Sequence, residues 1–213
     1  MPFHSQLRSL LVQAFAGQAA SATAPARAER ILVMRPDHLG DLVLTTPALT
    51  RLRQAYPSAH ICLLAGPWNA DAAALLDTVD EVQTLPFPYF DRQPKRDPLE
   101  PYRRLRREAA RLAGLHFDTA LVMRHDFWWG AALAARAGIP CRIGWDVADV
   151  APWLTNPVTG PPPEHEAARC LALVEALVGE GLATPPPMQV AVGEQDMTFA
   201  QGRRAAMGMT GRY

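Results

Sequence analysis

The chain has 213 residues, 21 basic and 21 acidic side chains, and a hydrophobic fraction of 49%. Zero net charge argues against a broad nucleic-acid surface, leaving room only for a local basic patch. The apolar content suits one large globular domain, or one domain and part of another.

The first 29 residues stand apart. Leu7, Leu10, Leu11, Ala14 and Phe15 form a short amphipathic stripe, and Ala, Ser, Thr and Pro follow up to Arg27. The apolar stretch is brief and broken by Gln13, so a flexible extension is expected rather than a signal peptide. One interfacial helix touching a membrane is the alternative. Residues 31–34 then read as a buried strand, followed by a tight polar corner with Gly40 as its hinge. A helix starts at Asp41, with Leu42, Leu49 and Leu52 at helical spacing. Residues 60–65 read as a second strand, 68–76 as a helix and 82–85 as a third strand. The proline-rich segment 86–101 is long for a structureless connection, which favours a functional loop. A basic helix over 102–113 comes next. A fourth strand covers 119–123, a helix of small residues runs to about Ala137, and a fifth strand covers 142–145. A loop with Pro152, Asn156 and Pro157 leads to a helix over 165–178, a weak strand over 188–192 and a helix over 196–207. No apolar run approaches the roughly 20 residues that cross a bilayer. Cys62, Cys141 and Cys170 lack paired metal spacing, and their odd, sparse count fits a reducing compartment. Cys62 and Cys141 fall in strand-like runs and read as small buried hydrophobes. Strands alternating with helices predict an α/β fold, a Rossmann-like doubly wound parallel sheet.

Ligands of such sheets bind beyond the C-terminal strand ends. Asp41 lies there, where a carboxylate serves either as a helix-dipole partner or as a chemical group. Arg35, Asp37 and His38 line the same corner. A surface salt bridge is the plain reading for Arg35 and Asp37, and a turn histidine or a phosphate contact for His38. Arg124, His125 and Asp126 end the fourth strand, as ligand contacts or a local ion pair. The basic group Arg92, Lys95, Arg96, Arg103, Arg104 and Arg107 is either a solvated face or a site for an anion. Phe127, Trp128 and Trp129 read as core more readily than as a sugar platform. The dinucleotide, P-loop and serine-hydrolase motifs G-x-G-x-x-G, G-x-x-x-x-G-K-[ST] and G-x-S-x-G are missing.

The opening stretch 30–49, with Gly40, Asp41, Thr45, Thr46, Pro47, Ala48 and Leu49, resembles the N-terminal signature of family-9 glycosyltransferases, the heptosyltransferases of lipopolysaccharide core assembly. Phe117-Asp118 before an apolar run resembles that family's second marker strand. The step from Ala137-Gly138-Ile139-Pro140 to Arg142-Ile143-Gly144, and His165-Glu166 opening a helix, resemble later segments. The marker strand's usual polar follow-on is replaced here by Arg124-His125-Asp126.

The resemblance implies the N-terminal, acceptor-side half of a GT-B architecture: extension 1–29, acceptor-binding domain 30–187, and the start of an interdomain linker at 188–213. The C-terminal donor-binding domain is expected to be missing. It implies inverting transfer of heptose, or a related sugar, from an ADP-sugar to an anionic lipopolysaccharide-core acceptor such as Kdo or phosphorylated lipid A. Asp41 would be the catalytic base. Gly40, His38, Arg35, Thr45, Arg124, His125, Asp126, Arg103 and Arg104 would line the substrates. No metal or cofactor beyond the donor ADP-heptose is implied. A cytoplasmic location follows, with contact at the inner face of the inner membrane. The rival reading is a non-catalytic acceptor-binding module, or one part of a split enzyme with a separate donor domain.

Overall fold

The computed structural model describes residues 28–90 and 97–209. Most of the expected extension, and Arg92, Lys95 and Arg96 of the basic group, lie outside the described residues. Ala28 and Glu29 belong to the domain instead: Ala28 is buried, and Glu29 N–H donates to Asp118 Oδ2 at 2.8 Å.

Six strands form one parallel sheet: β1 Arg30–Arg35, β2 His60–Ala65, β3 Glu81–Thr84, β4 Thr119–Val122, β5 Cys141–Trp145 and β6 Asn156–Val158. Their spatial order is β3-β2-β1-β4-β5-β6. The central strands are apolar at nearly every position because both faces are covered. Leu32, Met34, Leu64, Ala120 and Val122 face one layer, helices α3 Glu100–Ala113 and α4 Trp128–Arg136. Ile31, Val33, Ile61, Leu63 and Leu121 face the other, helices α1 Leu39–Ala55 and α5 Glu166–Val178. Phe127, Trp128 and Trp129 are core residues of the first layer.

Crossovers run outward from β1 on one side and from β4 on the other. The strand order reverses direction between these two strands, the switch point beyond whose C-terminal ends such sheets take ligands in a crevice. The second marker pair serves the opposite edge. Asp118 Oδ2 accepts the N–H groups of Glu29 and Arg30 at 2.8 and 2.7 Å, and Phe117 is buried under the Arg30 guanidinium.

Several elements differ from the sequence reading. Helix α1 begins at Leu39, so Gly40 lies inside its first turn and is not a hinge. Residues 68–76 form a 3₁₀ turn, Pro67–Asn69, and a single helical turn, α2 Ala70–Ala73. The side chains of Trp68 and Asn69 are tied to the corner after β1, which holds this segment in a turn. Strand β6 carries Pro157, which marked the segment as a loop. As an edge strand paired only with β5, β6 tolerates the missing N–H. Residues 188–192 form no strand. They run over the α1–α2 layer, with Gln189 N–H on Thr46 Oγ1 at 3.1 Å and Ala191 N–H on the Leu75 carbonyl at 3.1 Å. The last helix, α6 Glu194–Ala206, buries none of its residues.

Candidate functional site

The site grows from the first βα connection. Apolar β1 ends in Arg35, which the sheet carries to the C-terminal edge while its guanidinium stays 1% exposed. A buried arginine needs carboxylates around it, and three are in place. Arg35 Nη1 donates to Glu166 Oε1 at 2.8 Å, Nε stands 3.2 Å from Asp37 Oδ2, and Nη2 lies 3.5 Å from Asp41 Oδ1. The Asp37 approach is not aligned as a hydrogen bond. Burial opposes the Arg35 charge, but Cys170, Asp37 and Glu166 outweigh it and hold the pKa above the ordinary arginine value.

Arg124, beyond the end of β4, closes the crevice from the other side. It bonds Asp37 Oδ1 across the switch point and grips Asp126 with Nε at 2.6 Å and Nη2 at 3.2 Å, its guanidinium stacked over Phe90. Burial of Asp126 favours its protonated form, but the Arg124 hydrogen bonds and charge prevail and keep the carboxyl below the usual range. Asp37 is further fixed through its backbone carbonyl, which accepts Trp68 Nε1 at 2.7 Å and Asn69 Nδ2 at 2.9 Å. Glu166 also takes Arg169 Nη1 at 3.1 Å.

Arg35, Arg124 and Arg169 therefore face Asp37, Asp41, Asp126 and Glu166, three cations against four carboxylates. Asp37, Asp126 and Glu166 are each held by close arginine contacts. Among the described residues the Asp41 side chain has only the 3.5 Å contact with Arg35, and it is 40% exposed in the first turn of α1. Of the four carboxylates it is the one whose oxygens arginine engages least closely. Beside it Gly40 is exposed, and a Cβ there would meet nothing within 4 Å. The chain's own packing does not call for glycine, which leaves room for something outside the chain.

The other expected site residues divide. His38 is exposed at the start of α1 and stacks on Trp68, with ring centroids 5.5 Å apart. His125 lies between Arg124 and Asp126, with a buried Nδ1 that finds no partner among the described residues. Thr45 does not line the crevice. It is fully buried, its hydroxyl donates to the Asp41 carbonyl at 2.8 Å, and it packs against Cys170, so it serves the helix rather than a ligand. Arg103 and Arg104 sit on the other layer, on α3. Arg103 pairs with Asp97, and Arg104 pairs with Glu100 at 2.6 Å and with the Pro86 carbonyl. Arg107 pairs with Glu108 at 3.1 Å. The reading of Arg35 and Asp37 as a surface salt bridge is corrected, since both are buried. Glu166 and Arg169 were not legible as site residues. They lie about 130 positions from Arg35, and only the packing of α5 on α1 brings them in.

No protein-family model matches the sequence, and no curated protein does. Solved structures match in fold. A glycosyl transferase family 9 protein from Veillonella parvula is 21% identical with a TM-score of 0.70, over 90% of this chain and 52% of that one. The E. coli ADP-heptose lps heptosyltransferase II is 20% identical with a TM-score of 0.64, over 82% of this chain and 50% of that one. E. coli heptosyltransferase WaaC, solved with ADP-2-deoxy-2-fluoro heptose, is 18% identical with a TM-score of 0.57, over 76% of this chain and 51% of that one. The chain thus shares their α/β fold and spans about half the length of each.

Proposed function

We propose that this domain is the acceptor-side half of an inverting glycosyltransferase, with Asp41 as the base. The observation that carries the reading is Asp41 itself: a half-exposed carboxylate at the switch-point crevice, beside an open glycine, among three carboxylates already held by arginines. In the reaction, an acceptor hydroxyl oxygen bonds to the anomeric carbon of a nucleotide sugar. The bond from that carbon to the diphosphate breaks, and the nucleoside diphosphate leaves with the electron pair. The hydroxyl proton passes to Asp41 late, once attack has acidified it. The fold shared with heptosyltransferases supports ADP-heptose, or a related ADP-sugar, as donor and an anionic glycolipid of the lipopolysaccharide core as acceptor. An acceptor of that kind would bring the domain to the inner face of the inner membrane.

The test is transfer of labelled sugar from ADP-heptose to a lipid A-type acceptor, with the chain supplied with a donor-binding half. Asp41→Asn is expected to lower the rate at least about 100-fold with acceptor binding retained, the scale of a lost general base. Near-normal turnover would move the base elsewhere, with Asp126 next to examine.

The exposed apolar side chains of α6 favour a second reading, a binding module that works with a separate donor domain. Met197 is 50% and Phe199 71% exposed. Acceptor binding by this chain, with transfer appearing only when a second polypeptide is added, would establish it.

A further inference from the structure

We propose that Arg35 is the positioning residue for Asp41, and that Glu166 sets how tightly Arg35 holds it; the proposal rests on the reading of Asp41 as the base. Arg35 is 1% exposed, its fork hydrogen-bonded at Nη1 to Glu166 at 2.8 Å and flanked at Nε by the Asp37 charge at 3.2 Å. A planar guanidinium pinned in this way presents its remaining nitrogen in one direction. That nitrogen, Nη2, stands 3.5 Å from Asp41 Oδ1. A charge-assisted hydrogen bond would be about 2.7–2.9 Å. Arg35 therefore orients the carboxylate without closing on it, and a lone pair stays open for an incoming proton.

The arrangement also explains why a buried cation tolerates the chemistry. When Asp41 accepts a proton and becomes neutral, Arg35 keeps Asp37 and Glu166, so no unpaired charge is left in the core. Glu166 is itself steadied by Arg169 at 3.1 Å. The groups around this centre are Asp37 and His38 in the corner after β1, Asp41 on α1, Arg124 and Asp126 after β4, and Glu166, Arg169 and Cys170 on α5. The arrangement predicts opposite effects of two substitutions. Removing the Arg35 charge leaves Asp41 among carboxylates and makes its proton easier to bind. Neutralising Glu166 leaves the Arg35 charge less compensated and draws it toward Asp41, which makes the proton harder to bind. A structural disturbance alone would not produce opposite signs.

The test is a carboxyl-carbon NMR titration of Asp41 in the 213-residue chain and its variants. Arg35→Met is expected to raise the pH at which Asp41 titrates, and Glu166→Gln to lower it. Each change should be about half a pH unit or more, roughly threefold in proton affinity. Arg35→Lys, which keeps the charge, should fall between wild type and Arg35→Met. Unmoved titration, or movement in the same direction in both variants, overturns the proposal. Should Arg35→Met not fold, Glu166→Gln decides alone, with a fall supporting the proposal and no change or a rise refuting it. The outcome is separable from the reading beneath it. Full transfer by Asp41→Asn would remove the base whatever the titrations show. Unmoved titrations with a dead Asp41→Asn would leave the base and remove Arg35.

Discussion

At the scale of single residues, the fold does not call for glycine at Gly40, and Asp41 beside it is the least closely held of the four carboxylates. Glycine inside a helix costs about 0.5–1 kcal/mol relative to alanine. Gly40 lies in the first turn of α1, with open space where a Cβ would stand. Gly40→Ala is therefore expected to raise the melting temperature by about 1–3 °C in a scanning calorimeter. In the transfer assay the same variant should lose activity, because a methyl would stand where the acceptor approaches. Unchanged transfer would mean that the glycine does not face substrate. Asp41 and Asp126 were both candidate bases by position. The structure separates them, because Arg124 holds Asp126 with two nitrogens and Arg35 holds Asp41 with one distant contact.

At the scale of elements, α1 shows how sequence choices around the site also serve the helix. Pro47 cannot donate to the Val43 carbonyl four residues back. Thr46 Oγ1 donates to that carbonyl instead at 2.8 Å, and accepts Gln189 N–H at 3.1 Å, which pins the segment leading to α6. Thr46→Val removes both bonds and is expected to cost about 1–2 kcal/mol in urea denaturation. Helices α5 and α6 make a contrast. Leu173 on α5 is fully buried against α1 and the sheet, so Leu173→Ala should cost about 2–5 kcal/mol. Phe199 on α6 is 71% exposed, so Phe199→Ala should change stability by less than about 0.5 kcal/mol. A large loss from Phe199→Ala would mean that α6 packs in solution. On α3, burial of Glu108 works against its charge, but Arg111 and Arg107 prevail and lower its pKa from the ordinary 4.5. A lowered pKa in the folded state adds stability that is present above that ordinary value and is lost as pH falls through the folded one. Denaturation midpoints should therefore fall on acidification below about pH 4.5, and Glu108→Gln should flatten that part of the curve.

At the scale of the whole molecule, the described domain presents one crevice edge with an excess of carboxylate. Arg35, Arg124 and Arg169 do not balance Asp37, Asp41, Asp126 and Glu166. A diphosphate meets repulsion there, as do an acceptor's anionic groups, so only the acceptor's neutral hydroxyl is expected to approach this edge. Titration calorimetry of the 213-residue chain with ADP-heptose is accordingly expected to give no measurable heat. Micromolar binding would place the donor on this sheet and end the division of labour proposed above. The basic helix α3 makes a milder case. Arg103, Arg104 and Arg107 each have a carboxylate partner, so their surface field is largely cancelled. If α3 still recognises an anionic acceptor, the loss of binding on neutralising all three should shrink in high salt, as exposed charges are screened beyond about 10 Å at 0.1 M. Equal binding of variant and wild type at low salt would mark α3 as a solvated face. Among the described residues, no helix is long and apolar enough to cross a membrane.

The sequence by itself determined the βα alternation, β1 and β2 nearly to the residue, and the place of Asp41 at the start of a helix. Those features follow from local causes: unbroken apolar runs on strands buried on both faces, helical spacing of leucines, and glycine and proline at the breaks. Local rules failed where a neighbour overrode them. Strand β6 exists because β5 offers an edge, the helix after β2 is cut short because Trp68 and Asn69 reach back to Asp37, and the segment after Pro187 lies on α1 instead of pairing. The site divides in the same way. Arg35, Asp37 and Asp41 were visible as one short polar corner, and the family resemblance singled out Asp41, but the contacts that distinguish these carboxylates were not visible. Which carboxylate is held and which is free depends on Arg124 from β4 and Glu166 from α5, 87 and 131 positions away along the chain. Only tertiary structure brings charges that far apart in sequence to within a few ångströms, and at that distance Coulomb energy decides the chemistry.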